Sequence, residues 1–155
     1  MKSFDDLVDE ALIRVREIMP WDLSRELGAN KDILLLDVRE PTEYSMFHIP
    51  GSINVPRGIL EQSCEWNYEE TVPALSSGRE REIVVICRSG KRSVLAADVM
   101  SLMGFTHVVS LKTGVRGWND FEQPLQDING RLLDPDEVEI ILTSPLRVDQ
   151  REPSS

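Results

Sequence analysis

Two short runs of this chain are apolar at every position, residues 33–36 ("ILLL") and residues 83–86 ("IVVI"). A strand with one face in solvent alternates apolar and polar residues, whereas a strand covered on both faces is apolar throughout. The helical patterns that separate the two runs would supply that cover, because helices connecting parallel strands pack on both faces of the sheet. The sequence therefore predicts an α/β fold with a central, mainly parallel sheet and helices on both faces.

The other predicted elements continue this alternation. Apolar spacing predicts an N-terminal amphipathic helix over residues 3–19, with Ser3 as its N-cap and Pro20 as its end. Further helices are expected over residues 21–27, 41–47, 92–103 and 114–121, and further strands within "HIPGSINVP" and at "HVVSL". Between residues 57 and 82 we expect helix plus loop.

The chain beyond about Leu125 departs from the alternation. The "NG" at residues 129–130 is a candidate hairpin turn, residues 138–142 are a candidate edge strand, and "VDQREPSS" is expected to be disordered. The predicted organisation is an N-terminal helical extension (1–19), one domain (20–125) and a C-terminal extension (126–155). We expect the N-terminal helix to pack on the core of the domain, with a dimer contact as the alternative.

Charge and composition narrow the classes of function. The net charge of −10 argues against binding to nucleic acids or anionic membranes. No apolar run approaches the roughly 20 residues of a membrane-spanning helix, and the acidic start "MKSFDDLVDE" does not resemble a secretory signal. We expect a cytoplasmic protein, monomeric or homodimeric. The two cysteines and two histidines are not spaced as metal ligands, so neither a metal nor an organic cofactor is expected.

Cys87 is followed closely by a glycine and three cationic residues. Cys87 directly follows the second apolar run and begins the loop "CRSGKRS" that precedes a predicted helix. Such a loop directs backbone N–H groups inward, the helix adds the positive end of its dipole, and Gly90 permits a positive φ. With Arg88, Lys91 and Arg92 nearby, Cys87 is predicted to be largely thiolate at neutral pH, and therefore a nucleophile.

Simpler interpretations of these residues exist. A lone cysteine at a strand end is usually a small buried hydrophobe, and Arg88 or Lys91 taken singly would be a solvated charge. Ser93 is expected to cap the helix, and Cys64 to be an inert side chain rather than a resolving thiol. The glycine and the cations within six residues of Cys87 favour a functional site.

Three ordered stretches carry a family resemblance: "LLDVREPTEYSMFHIPGSINVP", "CRSGKRS" and "GFTHVVSLKTGVRGW". With them the chain resembles the single-domain rhodaneses, which are thiosulfate or persulfide sulfurtransferases. The resemblance implies that Cys87 carries sulfur as a persulfide and that Asp37 and Arg39 brace the loop from the neighbouring strand end. It also implies a substrate-binding cradle formed by Arg88, Ser89, Gly90, Lys91, Arg92 and Ser93.

The chain also departs from the family pattern. Phe47 and Ser52 replace the usual glycine and alanine around "HIPG", so His48 is expected to hold the turn rather than to react. Thr113 and Gly114 stand where the family has two glycines. Glu43 occupies the helix on which some thiosulfate-specialised members carry an arginine, which argues against thiosulfate as the physiological donor.

The resemblance implies a sulfurtransferase that moves sulfur from a small sulfur anion or persulfide donor to a thiol, cyanide or an acceptor protein. Two alternatives are a sulfur-carrier or redox-sensing interaction module and, on the same fold, a phosphatase or arsenate reductase. Four residues lie between Cys87 and Arg92, one fewer than the related phosphatases use, which favours sulfur transfer.

Overall fold

The structure of the protein is a computed structural model that describes residues 1–29 and 32–154. The helices are α1 (Phe4–Leu12), α2 (Pro20–Gly28), α3 (Pro41–Met46), α4 (Leu60–Ser63), α5 (Pro73–Ser76), α6 (Arg92–Leu102), α7 (Gly114–Asp120) and α8 (Pro135–Leu142). The strands are β1 (Glu17–Ile18), β2 (Ile33–Asp37), β3 (Ile53–Asn54), β4 (Glu82–Ile86) and β5 (Val108–Leu111). Two 3-10 turns span Arg57–Ile59 and Val148–Gln150.

The five strands form one sheet in the order β1-β5-β4-β2-β3, and every neighbouring pair is parallel. Strand β4 lies at the centre, with Val85 in register with Leu36 of β2 and with Ser110 of β5. The carboxyl ends of these strands therefore lie side by side at one edge of the sheet. In parallel sheets this edge is where ligands bind.

Helices cover both faces of the sheet, as the apolar runs predicted. Alternate residues of β4 enter different cores: Val85 packs towards α1 and α6, whereas Val84 packs towards α2, α7 and α8. Because strand side chains alternate between faces, a strand between two cores must be apolar throughout. The α/β prediction with a parallel central sheet is confirmed.

The predicted helix over residues 3–19 is wrong in its second half. Helix α1 ends at Leu12, and the chain then extends so that Glu17 pairs with Ser110 and Ile18 with Leu111. Val15 and Ile18 thereby enter the cores on opposite faces of the sheet. The apolar spacing resembled a helix, but pairing with the open edge of β5 satisfies the backbone there. Pro20 is not a stop, because it is the first residue of α2.

The candidate edge strand at residues 138–142 is also wrong, because these residues belong to α8. Asp134 caps this helix reciprocally with Glu137, and Pro135 occupies its first position. These are helix-start signals that outweigh the β-branched composition of the segment. The "NG" turn does form, with Gly130 at φ +81° and an antiparallel bridge between Gln126 and Leu132.

The C-terminal segment expected to be disordered contains the 3-10 turn at Val148–Gln150. Its last residue, Ser155, lies outside the described residues. Among residues 1–29 and 32–154, no helix combines the length and the apolar character needed to cross a membrane.

Candidate active site

Cys87 lies directly after β4, at the carboxyl edge of the sheet, and is almost fully buried. The loop that follows folds back over its sulfur before α6 begins at Arg92. The backbone N–H groups of Gly90 and Ser93 donate to Cys87 Sγ at 3.1 Å and 3.3 Å. These two N–H groups are placed to hold negative charge on the sulfur or on a group bound to it.

Gly90 makes this loop geometry feasible. Its φ is +93°, and a Cβ atom at this position would lie 2.8 Å from the backbone nitrogen of Thr113. Both the left-handed conformation and the close approach of a second backbone segment therefore require glycine. The predicted positive φ at Gly90 is present.

The second backbone segment is the start of α7, which is hydrogen-bonded to the loop. The N–H group of Val115 donates to the Cys87 carbonyl at 2.9 Å, and that of Arg116 to the Arg88 carbonyl at 3.1 Å. Gly114, at φ +60°, is packed so closely that a Cβ there would collide with the Cys87 carbonyl. Thr113 itself adopts φ +67°. The helix start thus fixes the carbonyl side of the loop while leaving its N–H groups for the sulfur.

Ser93 does not cap α6, because Lys91 occupies the N-cap position. The Ser93 hydroxyl instead lies 3.3 Å from Cys87 Sγ and 2.8 Å from the hydroxyl of Ser110. Ser110, in β5, is fully buried and was not among the residues predicted from the sequence. The signal that could have found it is a single polar residue inside the apolar strand "HVVSL".

The three predicted cations of the loop point to different partners. Arg92 makes two hydrogen bonds of 2.9 Å to the carboxylate of Glu43 in α3. This contact lowers the pKa of Glu43, and hydrogen bonding to Glu43 raises the pKa of Arg92 despite the opposing effect of burial. Arg92 also interacts electrostatically with Cys87, although more weakly than with Glu43.

Arg88 and Lys91 contact the two chain extensions. Lys91 Nζ lies 2.7 Å from a carboxylate oxygen of Asp5 in α1 and 5.8 Å from the centre of the Phe4 ring. Arg88 donates to the carbonyl of Leu142, the last residue of α8. Ser89 is exposed. The loop is therefore tied to both extensions, and its positive charge is largely met within the protein.

Asp37 and Arg39 form a fully buried pair, with Arg39 donating to both carboxylate oxygens of Asp37. Arg39 also donates to the Phe47 carbonyl at 2.7 Å, which ties the end of α3 to β2. Across the described part of the chain, neither side chain hydrogen-bonds to residues 87–93. Their role in bracing the loop stays a prediction, and the connection present in the structure runs through α3, which carries the Glu43 that binds Arg92.

Two other predicted residues have clear positions. The Nδ1–H of His48 donates to the Tyr44 carbonyl at 2.8 Å and the imidazole stacks on the Tyr44 ring, consistent with its expected role in the turn. Cys64 is buried and free, and burial raises the pKa of its thiol to about 11.

A cavity of about 710 Å³ opens at the amino end of the sheet, opposite to the cysteine loop. It lies beside Ile33, Glu82 and Val108, and the cysteine loop does not line it.

Comparison with known proteins agrees with the fold. The family model of the rhodanese-like domain matches residues 20–121. A Bacillus subtilis protein named "Putative sulfur carrier protein YrkF" is 33% identical over 104 residues, which are 67% of this chain but only 51% of that protein. The "Putative thiosulfate sulfurtransferase, mitochondrial" of Schizosaccharomyces pombe is 31% identical over 103 residues, 64% of this chain and 72% of the relative.

A solved structure from Rhodopseudomonas palustris, of a protein of unknown function described as "Possible Tyrosine Phosphatase", superposes with a TM-score of 0.74. It is 26% identical in sequence, and the match covers 81% of this chain and 96% of that one. The family match covers most of the sheet, the cysteine loop and α7. This chain therefore belongs to the rhodanese-like domain family.

Proposed function

We propose that the protein is a sulfurtransferase that carries sulfur on Cys87. The observation that supports this most directly is the pair of N–H groups, from Gly90 and Ser93, directed at a buried cysteine sulfur. Membership of the rhodanese-like family and relatives named as sulfurtransferase or sulfur carrier support sulfur transfer in general. The donor, the acceptor and the persulfide intermediate belong to the proposal.

The reaction proceeds by two displacements. In the first, the Cys87 thiolate attacks the sulfane sulfur of a small sulfur anion or persulfide donor. A new S–S bond forms, the donor's S–S bond breaks, and the donor fragment leaves with the electron pair. In the second, a thiol, cyanide or an acceptor protein attacks the outer sulfur of the persulfide. The bond within the persulfide then breaks, and Cys87 is released as thiolate.

The loop residues 88–93 have defined roles in this proposal. Their amides hold the negative charge of the thiolate and then of the terminal sulfur, an arrangement similar to an oxyanion hole. Arg92 adds positive charge at the same site, moderated by Glu43. Asp37 and Arg39 act as supporting residues through α3.

A sulfur-carrier module with low turnover of small molecules is the second candidate. It is favoured by the contacts of the loop with both extensions, through Lys91 to Asp5 and through Arg88 to Leu142. A chain without the extensions that folds and reacts equally with small molecules and with protein acceptors would argue against this candidate.

The phosphatase alternative is disfavoured by the four-residue spacing between Cys87 and Arg92. Hydrolysis of an aryl phosphate that is lost in Cys87→Ser would restore this alternative.

The first test is intact-mass analysis under non-reducing conditions after mixing the protein with thiosulfate or with a low-molecular-weight persulfide. We expect a gain of one sulfur atom in the wild-type protein and in Cys64→Ser, and none in Cys87→Ser. Sulfur retained by Cys87→Ser, or no gain with either donor, would contradict the proposal. The two donors also separate thiosulfate from persulfide as the preferred substrate.

A further inference from the structure

Two buried hydroxyl groups lie close to Cys87. The Ser93 hydroxyl lies 3.3 Å from Cys87 Sγ, and the Ser110 hydroxyl lies 2.8 Å from that of Ser93. Both serines have no exposed surface. The three groups thus form a short line from the reactive sulfur into the sheet.

A hydroxyl in an apolar strand needs a specific reason, because burying it costs free energy unless it is hydrogen-bonded. Among the residues that the structure describes, Ser93 is the one side-chain partner of the Ser110 hydroxyl. Ser110 is also held rigidly, since its strand pairs with Val85 on one side and Glu17 on the other. Its hydroxyl is therefore fixed in position relative to Ser93.

The direction of these hydrogen bonds depends on the charge of Cys87. A neutral thiol can donate to Ser93, which then donates to Ser110. An ionised thiolate has no proton to give, so the Ser93 hydroxyl must donate to sulfur, and its oxygen is then free to accept from Ser110. In the second arrangement each hydrogen bond polarises the next, which strengthens the one made to sulfur.

We propose that Ser110 is a positioning residue. By donating to Ser93, Ser110 directs the Ser93 hydroxyl at the Cys87 sulfur, and the hydrogen bond from Ser93 then stabilises the thiolate. The inference deepens the proposed function, since a thiolate is the nucleophile in sulfur transfer. It does not require sulfur transfer to occur, because any electrophile reports on the thiolate. The two proposals can therefore fail separately.

Charged groups around Cys87 would remain in place in a serine variant. Arg92 on α6 interacts with the sulfur and is bound by Glu43 on α3. The remaining charges are engaged with each other or with distant partners: Asp37 with Arg39, Lys91 with Asp5, and both Arg88 and Arg116 with the Leu142 carbonyl. A change in the pH dependence of Cys87 in Ser110→Ala would thus come from the hydroxyl.

The test is the rate of iodoacetamide alkylation of Cys87 as a function of pH, with the modified residue identified by mass spectrometry. Without the Ser110 hydroxyl, the Ser93 hydroxyl is no longer directed at the sulfur or polarised, which weakens its hydrogen bond to the thiolate. In Ser110→Ala the midpoint should therefore move to higher pH by about half a unit to one unit. Ser110→Thr retains the hydroxyl and should restore the midpoint. Ser63→Ala is the matched control, because Ser63 is equally buried but donates to the Ile59 carbonyl.

A second comparison tests whether Ser110 acts through Ser93. In a Ser93→Ala background, Ser110→Ala should produce no further shift, because the intermediate hydroxyl is already absent. An unchanged midpoint in a folded Ser110→Ala variant would overturn the proposal, as would an equal additional shift in the Ser93→Ala background. If Ser110→Ala does not fold, Ser110→Gly removes the same hydroxyl with a different packing change and must shift the midpoint in the same direction.

Discussion

Arg92 and Glu43 face each other across two hydrogen bonds of 2.9 Å, which connect the start of α6 to α3. Each side chain is about one-third exposed, 34% for Arg92 and 32% for Glu43. Arg92, the candidate anion-binding arginine of the loop, is therefore already paired. The pairing weakens its attraction for an incoming anion, although the guanidinium can still orient one.

Replacing Glu43 with glutamine should strengthen the interaction of the site with anionic donors. The variant frees the charge of Arg92, and the KM for thiosulfate in a sulfur-loading assay should fall roughly two- to fivefold, the range of a partly exposed ion pair. Asp98→Asn is the matched control, since Asp98, on the same helix as Arg92, forms a similar two-bond pair with Arg14. An unchanged KM in a normally folded Glu43→Gln variant would contradict this role.

The same ion pair should weaken in acid. The folded-state pKa of Glu43 lies below its ordinary value of 4.5. Its contribution to stability is therefore present above that value and is lost as the pH falls through the lowered pKa. We expect the stability difference between the wild-type protein and Glu43→Gln, measured by urea denaturation, to be constant from pH 7 to 5 and to shrink below about pH 4.5. A difference that grows in acid would have the wrong sign.

Gly90→Ala should abolish sulfur loading and destabilise the fold, because the new Cβ meets the Thr113 backbone at 2.8 Å. Gly104 offers a matched control, since it has the same φ of +93° but open space where a Cβ atom would lie. Gly104→Ala should cost only the conformational strain, about 1 kcal/mol, and leave activity intact. Equal losses in the two variants would show that the dihedral, rather than the close approach, requires glycine at position 90.

Asp37→Asn should destabilise the protein by roughly 3 kcal/mol or more, because it leaves the buried Arg39 guanidinium without its counter-charge. Asp22→Asn removes an exposed carboxylate that pairs with Arg25 at 2.7 Å and should cost less than about 1 kcal/mol. Urea denaturation followed by circular dichroism compares the two. Similar small effects would indicate that the buried pair is better solvated than its burial implies.

Cys64 should resist alkylation in the folded protein. Burial raises the pKa of its thiol to about 11, so the nucleophilic thiolate is scarce at pH 8. With iodoacetamide at pH 8 we expect one modification, at Cys87, and a second only after unfolding in denaturant. Peptide mapping distinguishes the sites, and rapid modification of Cys64 in the native state would contradict its assigned burial.

The apolar runs at residues 33–36 and 83–86 were sufficient to predict the central sheet, because complete apolarity indicates burial on both faces. The cysteine loop could be predicted as well, because Cys87 and Gly90 lie within one short stretch of the sequence. The errors came where a local pattern had two solutions. Residues 13–19 resembled a helix, but Glu17 and Ile18 pair with the open edge of β5.

What the sequence determined by itself was the buried central strands β2 and β4, the helix α6 that follows the cysteine loop, and the need for glycine at position 90, because each depends on residues within a few positions of one another. The tertiary structure decided which distant groups meet that loop: Ser110 from β5, Glu43 from α3 and the Leu142 carbonyl from α8. These contacts depend on strand register and helix packing. The order of residues along the chain does not show which distant groups meet, because their contacts form only when the parallel strands align their carboxyl ends at one edge.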